Sequence, residues 1–305
     1  MKKEFYSNGK LLITGEYLVL DGANAFALPT KFGQKLIVEK GTHQEIKWTS
    51  YDADGSVWLD VQLSFADILK KNTAEESESI KNTLIEILHQ GYLLNPDFFQ
   101  NHQGFHITTQ LTFPRNWGLG TSSTLINNIA QWLEIDAFVL LNNSFGGSGY
   151  DIACAQNDSP ILYHLDNGNP IIETVSFEPK FAKNLHFVYL EKKQSSKASI
   201  VSYYNNKNEG LSENIIANNK ITSAVLKAKT LQEFAIALEE HEAEMSNILE
   251  MQTIKESLFP DFNGIIKSLG AWGGDFVLAI SDENPVDYFN EKGFKTIIPY
   301  KEMIL

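Results

Sequence analysis

Cysteine is almost absent from this chain: Cys154 is the only one in 305 residues. A single thiol excludes an intramolecular disulfide framework and suits a reducing compartment. No apolar run approaches the roughly 18 residues that a membrane-spanning helix needs. Lys2 and Lys3 are not followed by an apolar stretch of signal-peptide length, so a cytoplasmic location is expected. Internal repeats and low-complexity segments are missing too. Positive charge is scarce, and the formal net charge of −13 argues against nucleic acid or anionic membrane as a partner, because both reward a basic face. Arginine is scarcest of all, with Arg115 the only one among 25 basic residues. Where lysine serves nearly everywhere, one arginine suits a place that needs a planar, bidentate fork; a chance survivor of lysine-biased usage would look the same.

What is present is globular in character. The 43% hydrophobic and 21% charged content supports a sizeable core, and the length suits one large or two ordinary domains. Short apolar or alternating runs at 10–20, 34–39, 46–48 and 57–63 predict strands. A helix is expected over about 75–90, with Ile80, Leu84, Ile87 and Leu88 on one face. Residues 105–113 alternate as a strand, and the helix after residue 123 turns Leu125, Ile126, Ile129 and Leu133 inward. Beyond them, strands are expected at 185–190 and 276–280 and helices near 214–228 and 231–251. The densest turn cluster, residues 166–170, marks a domain boundary at 168/169. Mixed strands and helices in this order imply an α+β protein of packed layers.

The segment Gly118-Leu119-Gly120-Thr121-Ser122-Ser123 lies between a strand and a helix. Two glycines let the backbone approach an anion closely, and amides at a helix start point outward with the positive end of the dipole. The hydroxyls of Thr121, Ser122 and Ser123 can add hydrogen bonds or a magnesium ligand. No lysine stands where a Walker-type loop needs one. A plain glycine turn with a serine N-cap is the alternative.

With Pro114 ahead of it, this loop resembles the phosphate-binding motif of the GHMP kinases, which include galactokinase, homoserine kinase, mevalonate kinase and phosphomevalonate kinase. Residues 9–20, Gly-Lys-Leu-Leu-Ile-Thr-Gly-Glu-Tyr-Leu-Val-Leu, resemble that family's first motif. Gly270-Ala271-Trp272-Gly273-Gly274-Asp275-Phe276 resembles its third, glycine-rich motif. The three stand in order and span nearly the whole chain. Gly147-Ser148-Gly149-Tyr150-Asp151-Ile152-Ala153 is similar to the segment that carries the acidic catalytic residue, and contains the Gly-Tyr-Asp-Ile-Ala signature of a GHMP subgroup. Gly-Glu-Tyr-Leu-Val-Leu and Asp275 are closer to phosphomevalonate kinase than to mevalonate kinase, which usually has histidine where Tyr17 stands.

The resemblance implies a two-domain α+β GHMP kinase fold. Residues 1–168 would form a ribosomal-protein-S5-like ATP-binding domain, and residues 169–305 a ferredoxin-like α+β domain. It implies ATP and magnesium as cofactors, an anionic small-molecule substrate, and a monomer or homodimer. Asp151 and Lys10 would be catalytic: Asp151 orients or deprotonates the acceptor, and Lys10 neutralises the transferring phosphoryl group. Arg115, Gly118, Leu119, Gly120, Thr121, Ser122 and Ser123 would bind ATP phosphates, with Ser122 also a magnesium ligand. Glu16, Tyr17, Ser148, Gly149, Lys197, Gly273, Gly274 and Asp275 would contact substrate. Without the resemblance, Asp151 reads as a helix N-cap, Lys10 as a solvated strand-end lysine, and the lysine-serine run at 192–197 as surface. His102 and His106 read as structural.

Two departures stand out. The segment between Ser122 and Asp151 is shorter than in mevalonate-type kinases and looks one helix short. Where those kinases place a magnesium-binding glutamate, residues 137–141 are apolar, and the nearest acids are Glu134 and Asp136. Trp272 stands where glycine is usual and would narrow the space beside the third motif. Phosphomevalonate is the first expected acceptor and mevalonate the second. A diphosphomevalonate decarboxylase and a GHMP-fold protein that binds nucleotide or metabolite without turnover are the alternatives.

Overall fold

The computed structural model describes residues 2–72, 79–192, 203–204, 210–270, 272 and 274–305. Its contacts divide the chain into two compact units. The first comprises residues 1–9, 32–115 and 119–156, and the second residues 10–31, 116–118 and 157–305. Two long strands, β1 (Lys3–Thr14) and β2 (Ala25–Lys40), contribute residues to both.

In the first unit, β3 (Glu45–Tyr51) pairs antiparallel with β4 (Val57–Ser64) and parallel with β5 (Gly104–Leu111), and β5 pairs antiparallel with residues 34–40 of β2. Helices α1 (Phe65–Lys70), α2 (Ile80–Leu94), α3 (Pro96–Gln100), α4 (Thr121–Leu133), α5 (Ala137–Ser144) and α6 (Tyr150–Gln156) complete it. Alternation along β3 and β5 sends Ile46, Trp48, Phe105 and Ile107 into one core, with Leu84, Leu88, Ile126, Ile129 and Leu133 from the helices. The predicted face of α2 holds except at its first position, Ile80, which is exposed in the first turn, just after the Ser79 cap. The predicted start of that helix, about residue 75, lies outside the described residues.

In the second unit, residues 25–27 of β2 pair with β6 (Ile161–Asp166), which forms a hairpin with β7 (Asn169–Thr174). A second, wholly antiparallel sheet contains β8 (Leu185–Tyr189), β9 (Ile265–Ser268), β10 (Phe276–Ile280) and β11 (Ile297–Pro299) in the order β11-β8-β10-β9. Helices α7 (Leu211–Lys227) and α8 (Leu231–Leu249) pack together, α8 opening on a capping box of Thr230 and Glu233. The turn cluster at 166–170 is the tip of the β6–β7 hairpin, with Asp166 opposite Asn169. A boundary at 168/169 would divide that hairpin, whereas the contact-defined units part after Gln156. The strand expected over 10–20 also stops early, at Thr14. Gly15 (φ 93°) and Tyr17 (φ 58°) turn the chain into a short 3-10 turn, Leu18–Asp21.

Candidate active site

The expected site residues fall on both units. In the first, α4 begins directly from the glycine loop. Gly120 is its N-cap at φ 94°, and no side chain caps the first-turn amides. That removes the serine-cap reading: the Ser123 hydroxyl donates backward to the Gly120 carbonyl at 2.9 Å instead. A helix of this length starting on an uncapped glycine presents its amides to an anion. Ser122 is exposed and Thr121 half-buried at the same end, while Leu119 is buried in the fold.

A buried polar network fixes α4. Thr124 donates to Gln34 Oε1 at 2.8 Å, Asn128 to the Gln34 carbonyl at 2.9 Å, and Ser7 to Asn128 Oδ1 at 2.8 Å. Asn127 donates to Ser7 and accepts from Gln156 Nε2 at 2.9 Å. Gln156 closes α6, the helix that carries Asp151, so the network ties the glycine-loop helix to the aspartate's helix. Satisfied buried networks of this kind fix one arrangement. These amides escaped the sequence reading because polar residues in a helix ordinarily mark its solvent face.

Asp151 is the second residue of α6, inside the helix and not its cap, and it is half-buried. Its carboxylate has no hydrogen-bond partner among the described residues. Gly149 is buried at φ 88° and Ser148 half-buried just ahead of it. The Arg115 guanidinium lies over the Trp58 ring, 5.4 Å from its centroid, and the Arg115 amide donates to Asp52. Asp136 caps α5, accepting from the Phe138 and Val139 amides. Glu134 is exposed at the end of α4. The stretch between Ser122 and Asp151 contains α5, and neither acid belongs to a metal-binding group among the described residues. No group of three metal-binding side chains exists among the described residues.

In the second unit the structure brings together one residue from each of the three motifs. Half-buried Lys10, inside β1 and not at its end, donates from Nζ to the Gly118 carbonyl at 3.1 Å. Gly118 has φ 69°, and a Cβ there would collide with the Asp275 carboxyl group. Asp275 takes the left-handed conformation itself (φ 52°), donates from its amide to the Lys192 carbonyl and accepts the Leu190 amide. The neighbouring backbone is anchored, since Tyr189 donates to the Asn116 carbonyl at 3.0 Å and Trp117 packs edge-on against Phe276. Burial, together with the Asp275 and Glu191 charges, raises the Tyr189 pKa. Gly274 is buried; Gly273 and Lys197 lie outside the described residues.

Glu16 and Tyr17, expected to contact substrate, are both buried and bonded within the second unit. Glu16 is wholly buried, 2.5 Å from Lys267 Nζ and 3.3 Å from His241 Nε2. Burial lifts its pKa to about 7 against the opposing pull of Lys267. The same burial holds His241 well below its usual range, while Glu16 and Glu242 keep Lys267 charged. Tyr17 stacks on Tyr203, and its hydroxyl accepts the Trp272 amide at 3.1 Å. Trp272 is buried with Tyr17, Leu18 and Met245, so its ring fills a core. His102, stacked on Phe98 and bonded to the Phe98 carbonyl, is structural as expected.

Solved structures share this architecture over nearly its full length. The mevalonate kinase of Methanococcus jannaschii superposes with a TM-score of 0.70 at 16% identity, covering 98% of this chain and 97% of its own. The chain has the GHMP kinase fold. Streptococcus pneumoniae phosphomevalonate kinase, solved with phosphomevalonate and AMPPNP, shares that fold with a TM-score of 0.71 at 16% identity, covering 96% and 97%. Lactococcus lactis galactokinase with galactose does so at 0.69 and 14%, covering 95% and 88%. No protein-family model matches the sequence, and no curated protein does. Within the GHMP kinase fold, Lys10, Gly118 and Asp275 are thus the described meeting point of the three motifs, and α4 supplies the uncapped helix start.

Proposed function

We propose that this protein is an ATP-dependent small-molecule kinase whose acceptor is phosphomevalonate. The observation that carries the reading is the contact of Lys10 with the Gly118 carbonyl, which sets a cation beside the glycine loop. The α4 start fits nucleotide phosphate, because its N-cap, Gly120, brings no side-chain acceptor of its own to the first-turn amides. ATP, when bound, supplies the phosphoryl group. Gly120, Thr121 and Ser122 would hold its phosphates, and Lys10 would offset the charge that develops during transfer. Asp151 would orient the acceptor; a phosphate acceptor is already anionic, so its role as base shrinks. Magnesium would meet one side-chain hydroxyl, Ser122, and take its other ligands from nucleotide and water.

The choice of phosphomevalonate rests on the Gly-Glu-Tyr-Leu-Val-Leu run and on Asp275; the fold is shared alike with mevalonate kinase, phosphomevalonate kinase and galactokinase. The test is ADP release with MgATP and, in turn, phosphomevalonate, mevalonate, diphosphomevalonate, homoserine and galactose. Release with phosphomevalonate, and a product heavier by one phosphoryl group, supports the reading. Release only with another member reassigns the acceptor, and nucleotide binding without release on any of them rejects the kinase.

A further inference from the structure

Glu16, His241, Glu242 and Lys267 form a buried cluster with almost no solvent contact, and none of them lies in the glycine loop before α4. Lys267 Nζ lies between Glu16 Oε1 (2.5 Å) and Glu242 Oε2 (3.3 Å), and also donates to the Ser268 carbonyl. Glu242 in turn accepts from the Ser268 amide at 3.0 Å and hydroxyl at 2.6 Å. His241 Nε2 accepts the Gly15 amide at 3.1 Å and stands beside Asn218 Oδ1 at 3.2 Å. Burying such charges costs several kcal/mol per ion, and well-packed apolar residues often stabilise a fold as well or better. What an ionic cluster adds over an apolar one is direction, because each oxygen has one place to go.

The two ends of this cluster lie at two of the motifs. Glu16 and Gly15 belong to the turn after β1, while Lys267 and Ser268 end β9 and lead into Gly270, Trp272, Gly274 and Asp275. The same two segments meet again where the Trp272 amide donates to the Tyr17 hydroxyl. Asp275, at the far end, fixes the space left for Gly118.

We propose that Lys267 is a positioning residue: through Glu16 and Glu242 it sets the first-motif turn against the third-motif segment, and so places Asp275 beside Gly118. The importance of that placement for turnover rests on the kinase reading; the placement itself does not.

The test is amide hydrogen exchange on the full chain, without substrate. In Lys267→Met, exchange at the Trp272 and Asp275 amides should rise about tenfold relative to Val277 and Leu278 in β10, the loss of roughly one net hydrogen bond. An equal rise at all four amides, or none at Trp272, would overturn the proposal in favour of plain stabilisation. Should that variant not fold, Glu16→Gln/Glu242→Gln/Lys267→Met keeps an amide acceptor for Ser268 and leaves no buried carboxylate without its cation. Its Trp272-to-Val277 exchange ratio should stay raised, and a return to the parent ratio would show that only charge balance matters. Failure of the kinase reading would show separately, as absent ADP release by the unaltered protein.

Discussion

Lys10 Nζ donates to the carbonyl of Gly118 at 3.1 Å, joining residues 108 positions apart. A strand lysine is thus fixed at the first glycine of the loop before α4, and on the kinase reading proposed above it offsets the charge of the transferring phosphoryl group. Lys10→Met should therefore lower kcat by about a hundredfold to a thousandfold, the usual effect of removing one preorganised charge stabiliser. A titration with MgATP would show near-normal affinity. Unchanged turnover would leave Lys10 with the carbonyl contact alone.

Gly118 is constrained twice, by its left-handed backbone and by the Asp275 carboxyl where a side chain would go. Gly118→Ala should destabilise the fold by about 1 kcal/mol or more from the backbone conformation, with the collision added. Asp275→Ala removes the collision but not the conformational cost. The double variant should be more stable than the sum of the two single effects, measured by urea unfolding of all three. Simple additivity would mean that the two groups do not touch.

How far the sequence foretold these relationships depends on the distance over which each signal acts. Local signals held: the strand 276–280 is β10 to the residue, and the alternation at 105–111 places Phe105 and Ile107 in the core. The turn into α4 was legible because its requirement, positive φ at Gly118 and Gly120 directly before a helix start, is written in consecutive residues. Periodicity overran at Gly15 and Tyr17, where two positive φ angles end a strand that hydropathy alone would continue. The Glu16–Lys267 pair was not legible, since 251 positions separate its members and a lysine in a short strand ordinarily marks an edge. Motif resemblance gave Glu16 to the substrate; burial gives it to Lys267.

Asp151 sits in the first turn of α6, and its carboxylate has no hydrogen-bond partner among the described residues. Asp151→Asn should reduce kcat about a hundredfold or more and leave nucleotide affinity intact. The reduction should be smaller with a phosphate acceptor than with a hydroxyl acceptor, because only the latter must lose a proton. Equal reductions on both would mean that Asp151 does not act by taking the acceptor's proton.

Glu16 is held near 7 by burial, against about 4.3 for an unfolded glutamate. Between those values the folded chain binds the extra proton, so the Glu16 contribution is full at low pH and is lost as pH rises through about 7. His241, kept neutral by burial, acts in the opposite sense below about 6.5, where the unfolded chain takes up its proton. Lys267, which faces both groups, and Glu242, whose charge acts on Glu16, are present in parent and variant alike. The Tm of Glu16→Gln minus that of the parent should therefore climb from about pH 5 to about pH 8. A flat difference would mean that Glu16 is ionised throughout.

The central claim is phosphoryl transfer from ATP to phosphomevalonate. It is tested most directly by incubating the protein with phosphomevalonate and ATP whose γ-phosphoryl oxygens carry a heavy isotope, then weighing the product. The account predicts one added phosphoryl group bearing the label, stoichiometric ADP and no carbon dioxide. Labelled inorganic phosphate with unchanged phosphomevalonate, or no ADP at all, would contradict it.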